Sequence, residues 1–199
     1  MVSTSCALRQ AFVRRQGSID IGRLAPMEIE LTHLPGVVII NPVVYQDSRG
    51  FFTEAYQVRR YVEHGLPGQF VQDNHSRSIR GTLRGLHVQL TQPQGKLIRV
   101  MEGAIFDVAV DVRVGSPSFG QWVGVELTGA NFKQLYVPPG FAHGFCVMSD
   151  QADVSFKVTE YHLPGDEIGI VWNDPDLAIQ WPITTPLLSQ KDANAFRFR

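Results

Sequence analysis

The sequence predicts an all-β antiparallel architecture, a sandwich or jelly-roll barrel with short peripheral helices, and three observations predict it. Short apolar alternations of period two recur through the 199 residues. Gly, Pro, Ser and Asn turn signals separate them at close, regular spacing. Helical periodicity is nearly absent, so the strands lack the intervening helices that a parallel sheet needs. A chain of this length supports one well-cored domain.

Residues 1–26 stand apart from the rest: Arg9, Arg14 and Arg15 alternate with small and apolar residues, and no acid precedes Asp20. That composition reads as a flexible leader or extension, or as residues upstream of a start at Met27, in preference to a transit peptide. The folded domain is expected over 27–199, because alternation begins at once in 27–31. A second apolar run covers 37–40, and Asp47-Ser48-Arg49-Gly50 is a turn leading into Phe51-Phe52-Thr53-Glu54. Helical character in the first half is confined to about 57–64, ended by Gly65 and Pro67. One strand is expected within 80–89, followed by others at 95–102, 104–113, 121–127, 134–137, 143–149 and 152–159. In the tail, Ser189 to Ala193 reads as a short helical turn packed over one end of the barrel.

Hydrophobic content of 44%, charged content of 19% and a net charge of -1 are ordinary for a soluble globular protein. They give no whole-protein attraction for nucleic acid or an anionic membrane, so any anion site is local. Cys6 and Cys146 are too few for a disulfide framework and have no zinc spacing, which fits a reduced, cytoplasmic setting. No apolar run approaches the roughly 18 residues of a membrane span.

The chemistry centres on Arg80-Gly81-Thr82-Leu83-Arg84-Gly85-Leu86-His87. His87 is a candidate base and Arg84 a candidate anion ligand, but residues three apart on a regular strand point to opposite faces. Gly85 between them marks a possible bulge, which would bring both side chains to one face. A hydrogen-bonded core histidine and a surface cation explain the same two residues when taken alone.

Pro138-Pro139-Gly140-Phe141-Ala142-His143 is similar to the second half of the cupin signature. The first half would supply His-x-His and a downstream Glu, whereas here His87 is followed by Val88 and Gln89. Two histidines fall short of the three protein ligands of a catalytic metal, so a barrel without metal is expected. Acid-base work is then the natural use of His87, with a carboxylate on its second ring nitrogen. Asp107, Asp111 and Asp192 are the candidates. Lys96 could face a developing oxyanion. Arg49, Arg84 and the amides of the Gln72-Asp73-Asn74 cluster offer donors to phosphate or base edges, and Phe52 could stack on a ring. Each of these also has a surface or packing reading.

Taken together, several motifs resemble the dTDP-4-dehydrorhamnose 3,5-epimerase family. They are Asp-Ser-Arg-Gly-Phe-Phe at 47–52, Val-Gln-Asp-Asn-His-Ser at 71–76, Leu-Arg-Gly-Leu-His at 83–87 and Gln-Gly-Lys-Leu-Ile at 94–98. Phe-Asp-Val-Ala-Val-Asp-Val-Arg at 106–113, Ser-Pro-Ser-Phe-Gly-Gln-Trp at 116–122, Pro-Gly-Phe-Ala-His-Gly-Phe at 139–145 and Trp-Asn-Asp-Pro at 172–175 extend the match. The resemblance runs from about Met27 to Ala193. It implies a homodimer of cupin-type jelly rolls acting on a dTDP-4-keto-6-deoxyhexose, without metal or organic cofactor.

By motif position, the resemblance implies that His87 is the base and Asp192 its orienting carboxylate, with Lys96, Arg84 and His143 around the sugar, its oxyanion or the pyrophosphate. It further implies that Arg49, Phe52 and Glu54 contact the nucleotide, partly from the partner subunit, and that Gln72, Asn74 and Glu167 bind substrate. There is one departure: Phe156 stands where the family carries a proton-donating tyrosine. By alternation alone, Phe156 shares a face with Val154 and Val158 and reads as a core aromatic. Three expectations follow: a 3,5-epimerase using water, Tyr136 or Tyr161 as donor; a single-centre enzyme, at C3 before C5; or a changed substrate or reaction. A non-catalytic sugar-nucleotide binding cupin and a metal-dependent cupin are the rival readings.

Overall fold

A computed structural model of the chain describes residues 27–198, so the reading of residues 1–26 lies outside the described residues. The alternating segments become β1 (Glu28–Leu31), β2 (Val38–Asn41), β3 (Val44–Asp47) and β4 (Gly50–Thr53), followed by the short helix α1 (Val58–Glu63). Then come β5 (Gln72–Ile79), β6 (Leu83–Gln89), β7 (Lys96–Glu102), β8 (Ala104–Asp111), β9 (Trp122–Thr128) and β10 (Gln134–Val137). β11 (Phe141–Val147), β12 (Gln151–Val158), β13 (Glu167–Gly169) and α2 (Gln190–Ala193) complete the chain. The side chain of Gln57 caps α1 by accepting from the Arg60 backbone N–H, and that of Ser189 caps α2 by accepting from Asp192 N–H.

A six-stranded sheet ordered β1-β2-β10-β7-β12-β5 lies over a five-stranded sheet ordered β13-β6-β11-β8-β9, and β3 with β4 forms a separate hairpin. All strand pairs are antiparallel. This is a cupin-type jelly roll with two short helices, as the turn-punctuated alternation predicts.

Period-two alternation sorts the side chains into three layers. Ile98 and Val100 of β7, Val154 of β12, Ile105 of β8, and Phe141 and Phe145 of β11 interlock between the sheets. Val38, Ile40, Leu97 and Tyr136 point out of the large sheet and are covered by Tyr61 of α1, Leu66 and Met27. Leu86, Val88, Val108 and Val110 point out of the small sheet beneath Ile170, Leu177 and Ile179 from the C-terminal segment. Each large aliphatic buried in these layers contributes about 1.5–3 kcal/mol against chain entropy.

Two differences from the sequence reading have physical reasons. β8 stops at Asp111 rather than continuing to residue 113. The Asp111 carboxylate accepts from Arg113 N–H, the Arg113 guanidinium, Ser116 Oγ and Ser118 Oγ, which turns the chain there. β5, which the sequence reading treated only as a source of amides, is a full strand. Its sequence Gln-Asp-Asn-His-Ser-Arg-Ser-Ile is polar on both faces because one face lines the barrel interior and the other meets solvent.

The bulge at Gly85 is present. His143 pairs with His87 and Phe145 with Arg84, so three residue steps of β6 span two of β11. Gly85 has φ +113°, and a Cβ there would lie 2.6 Å from both Gly144 Cα and His143 O. Gly85→Ala is therefore expected to lower unfolding free energy by about 2–4 kcal/mol, from backbone strain and forced displacement of β11. Urea denaturation checks this; a loss under about 0.5 kcal/mol would show that the strands separate freely.

Candidate active site

The bulge places Arg84 and His87 on one face of β6. Their partners Phe145 and His143 both face the barrel interior. Arg84 Nε donates to Ser78 Oγ of β5 at 3.0 Å, tying β6 of the small sheet to the edge strand of the large one. His87 is a quarter exposed, and its Nε2 lies 2.5 Å from Asp192 Oδ1. Asp192 is held in turn by Ser189, whose Oγ donates to Oδ2 at 2.7 Å.

Burial by itself would raise the Asp192 carboxyl, but the hydrogen bonds from His87 and Ser189 outweigh it, and the group ends below the usual carboxylate range. An ionised carboxylate only accepts, so Nε2 carries the imidazole hydrogen and Nδ1 keeps the lone pair. Nδ1 lies 3.9 Å from Glu167 Oε1. Glu167 stands on β13 two residues from Gly169, the register partner of His87. Burial would raise the Glu167 carboxyl too. The Lys191 ammonium bonded to it, with His87 and Lys96 nearby, holds it below its ordinary value.

A second imidazole–carboxylate pair lies beside the first: His143 Nε2 is 2.8 Å from Asp107 Oδ1, and Asp107 is fully buried. The three carboxylates that the sequence left open thus separate. Asp192 meets His87, Asp107 meets His143, and Asp111 fixes the turn after β8.

On the facing sheet, Lys96 shares the interior face of β7 with Ile98 and Val100. It is 8% exposed, and burial pulls its pKa down against the opposing fields of Glu167 and Asp107. Phe156 pairs with Ile98 and Asn74 and packs against the inter-sheet core. Gln72 donates from Nε2 to Asn74 Oδ1 at 2.7 Å on the same interior face of β5.

His87, Asp192, Glu167 and Lys96 meet through contacts or fields, His143 is the register partner of His87, and Gln72, Asn74 and Phe156 share the interior face of the large sheet with Lys96, while Arg84 reaches Ser78 farther along β5. Arg49, Phe52 and Glu54 do not join them within the chain. Arg49 ion-pairs with Asp47 in the hairpin turn, Phe52 is 69% exposed, and Glu54 lies 3.3 Å from Arg60. Tyr136 faces the outer layer with Leu97 and Tyr61, where burial raises its phenol to about 12, and Tyr161 is exposed. Strand parity thus removes Tyr136 from the interior. The sequence reading missed Lys191 as the cation on Glu167 and Ser189 as the anchor of Asp192. The capping pattern Ser189-x-x-Asp192 was a readable signal for the latter.

Among the described residues no group of three His, Cys, Asp or Glu is arranged to hold a metal ion. No helix among them is long and apolar enough to cross a membrane. The arrangement offers a carboxylate-backed base, a facing buried ammonium and donors for an anion, which suits proton transfer at carbon next to a carbonyl.

The sequence profile of one family, dTDP-4-dehydrorhamnose 3,5-epimerase, matches residues 31–199. A dTDP-4-dehydrorhamnose 3,5-epimerase of Pseudomonas aeruginosa is 53% identical over 167 residues, covering 83% of this chain and 92% of its own. A dTDP-4-dehydrorhamnose 3-epimerase of Streptomyces niveus is 42% identical, covering 87% and 82%. The crystal structure of a Legionella pneumophila dTDP-6-deoxy-D-glucose-3,5-epimerase in complex with dTDP-4-keto-L-rhamnose superposes with a TM-score of 0.85. It has 52% identity over 86% of this chain and 93% of that one.

The depressed Asp192 carboxyl has a consequence for stability. Its contribution is present above the unfolded carboxylate value of about 3.9 and is lost as pH falls through the lower folded value. Asp192→Asn is expected to be about 1–3 kcal/mol less stable at pH 7. Its stability should also fall less steeply below about pH 4 than that of the parent. Urea titrations at pH 7 and pH 3.5 test this, and parallel curves for the two proteins would contradict it.

Proposed function

The chain belongs to the dTDP-4-dehydrorhamnose 3,5-epimerase family, and from that premise we propose how its own residues carry the reaction. It is an isomerase acting on carbohydrate, an epimerase of a dTDP-4-keto-6-deoxyhexose. The 4-ketone acidifies the hydrogens on C3 and C5. His87 Nδ1 removes one of them while Asp192, on Nε2, holds the ring in the required tautomer and stabilises the imidazolium. The electron pair of the broken C–H bond becomes the enolate double bond, and charge moves to O4. The Lys96 ammonium faces that oxyanion from a buried position, where a fixed cation counts for far more than in water. A proton returned to the opposite face inverts the centre.

Arg84 and His143 bind the sugar and the pyrophosphate, while Gln72, Asn74 and Glu167 orient the remaining polar groups. Arg49, Phe52 and Glu54 serve the nucleotide of the neighbouring subunit in a homodimer. The reading is supported by a β3–β4 hairpin that, among the described residues, pairs only with itself and exposes Tyr45, Phe51 and Phe52. The enzyme works in the cytoplasm. The observation that carries the proposal is the His87–Asp192 contact of 2.5 Å at the mouth of a barrel whose facing wall holds a buried lysine. Pure binding of a sugar nucleotide requires no base with an orienting carboxylate.

In deuterated water the protein is expected to exchange the C3 or C5 hydrogens of dTDP-4-keto-6-deoxyglucose, followed separately by proton NMR. His87→Asn is expected to slow exchange by about 10²- to 10⁴-fold while keeping affinity for dTDP. Exchange that survives His87→Asn unchanged would remove His87 as the base. No exchange in the parent, with dTDP still bound, would leave a binding module.

A further inference from the structure

Inversion at carbon sets a geometric demand that the base alone does not meet. The proton leaves from one face of the sugar and must return to the other, so the donor belongs on the wall opposite β6, the interior face of the large sheet. Around Phe156 that face presents Gln72, Asn74 and Ser76 of β5, Phe156 and Val158 of β12, and Ile98 and Lys96 of β7. Amides and hydrocarbons do not give protons to carbon, and an aliphatic hydroxyl is a far weaker acid than an ammonium. Lys96 is the strongest Brønsted acid among them.

The register brings this acid to the right place. Lys96 pairs with Val158, and Ile98 pairs with Phe156. Lys96 and Phe156 are therefore diagonal neighbours on one sheet face, roughly 7–8 Å apart, a separation that long side chains bridge. Both side chains lie on the face that looks into the space between the sheets. The surroundings of the Lys96 ammonium indicate the direction in which it leans. Among the described residues it has no hydrogen-bond or ion-pair partner, yet it is more than nine-tenths buried. The carboxylates whose fields it feels are Glu167 on β13 and Asp107 on β8, both rooted in the opposite sheet. Glu167 in turn stands 3.9 Å from His87 Nδ1. A buried, unpaired ammonium is costly, and an enolate formed between it and His87 supplies the missing partner.

We propose that Lys96 is the proton donor on the sugar face opposite His87, so that abstraction and return are divided between the two facing sheets. The inference rests on the epimerase reading and deepens it. His87 Nδ1 takes the proton from the carbon next to the ketone, and the C–H electron pair enters the enolate. The enolate carbon then takes a proton from Lys96 Nζ on its other face, as the oxyanion electrons restore the C4 carbonyl. The enzyme is left with an imidazolium and a neutral amine. One proton passes from His87 to water and one from water to Lys96, and both groups are reset. Burial beside the hydrocarbon ring of Phe156 favours this use, because an ammonium of lowered pKa is the stronger acid at neutral pH.

Lys96→Arg separates proton donation from charge stabilisation, since guanidinium keeps the positive charge and gives up no proton near neutral pH. The test incubates parent and variant with dTDP-4-keto-6-deoxyglucose in deuterated water and scores two events. These are deuterium entering recovered substrate at C3 or C5 and formation of the inverted sugar, trapped by borohydride reduction. In Lys96→Arg the expected result is exchange within about tenfold of the parent and inversion slowed by about 10²- to 10⁴-fold. Adding Phe156→Tyr to that variant places a phenol on the same wall and is expected to restore inversion at least tenfold. Inversion retained in Lys96→Arg would overturn the proposal. So would parallel loss of exchange and inversion in a variant that still binds dTDP, because Lys96 would then act only in forming the enolate. A parent that shows no exchange would instead defeat the epimerase reading itself.

Discussion

The close approach of β6 to β11 is the constraint on which the rest of the site depends. Gly85 and Gly144 face each other across the two strands. A Cβ on Gly85 would sit 2.6 Å from Gly144 Cα, and one on Gly144 would sit 2.7 Å from Arg84 O. With neither present, the backbones close and β6 takes one extra residue into its ladder. That extra residue resets the parity of the strand. Leu86 and Val88 still reach the outer layer under Ile170 and Leu177, while Arg84 and His87 both turn inward. A bulge also frees backbone groups from the ladder, and the Gly85 N–H turns to the Asp192 carboxylate. One irregularity therefore aims the imidazole and helps anchor the acid behind it.

The barrel divides into an apolar end and a charged end, and the two are interdependent. Buried charge is tolerated only where partners or fields compensate it. Asp192 has His87 and Ser189, Asp107 has His143, and Glu167 has Lys191. Among the described residues Lys96 lacks such a contact and is stabilised by the fields of Glu167 and Asp107. Its positional cost is supported by three apolar layers, and binding of an anionic intermediate relieves it. Interactions that become favourable only as charge develops lower the barrier without tightening ground-state binding.

Much of this was legible in the sequence, and the illegible parts have specific causes. Alternation located nearly every interior strand, and a glycine between Arg84 and His87 predicted the parity change, because φ beyond the reach of other residues leaves that mark. Phe156 was readable as inward-facing from Val154 and Val158. The choice among Asp107, Asp111 and Asp192 was not readable from spacing, since it depends on how a tail more than a hundred residues from His87 folds back over β6. β5 escaped recognition because a strand that lines a polar site carries no hydrophobic alternation. The hairpin residues Arg49, Phe52 and Glu54 are readable as a group by motif, but nothing within one chain brings them to the barrel mouth.

The two imidazole–carboxylate pairs on β6 and β11 are near copies in local chemistry, yet burial assigns them different work. Each histidine points Nε2 at an aspartate, and the two are register partners, so their rings stand side by side on one wall. The His87 side chain is 23% exposed, whereas that of His143 is 9% exposed and Asp107 is at 0%. The more open ring is the one that a substrate carbon can approach as base. Asp107 Oδ2 is buried without a hydrogen-bond partner among the described residues, so the contact between His143 and Oδ1 is what holds that carboxylate and the His143 ring together. His143 is thus better suited to hold a fixed hydrogen bond to the substrate than to cycle a proton. Because both rings lie on the same wall, a second histidine there also fails to supply the opposite-face donor that inversion requires. That requirement falls on the large sheet, where the hydrocarbon, amide and serine side chains facing the interior are weaker acids than the Lys96 ammonium.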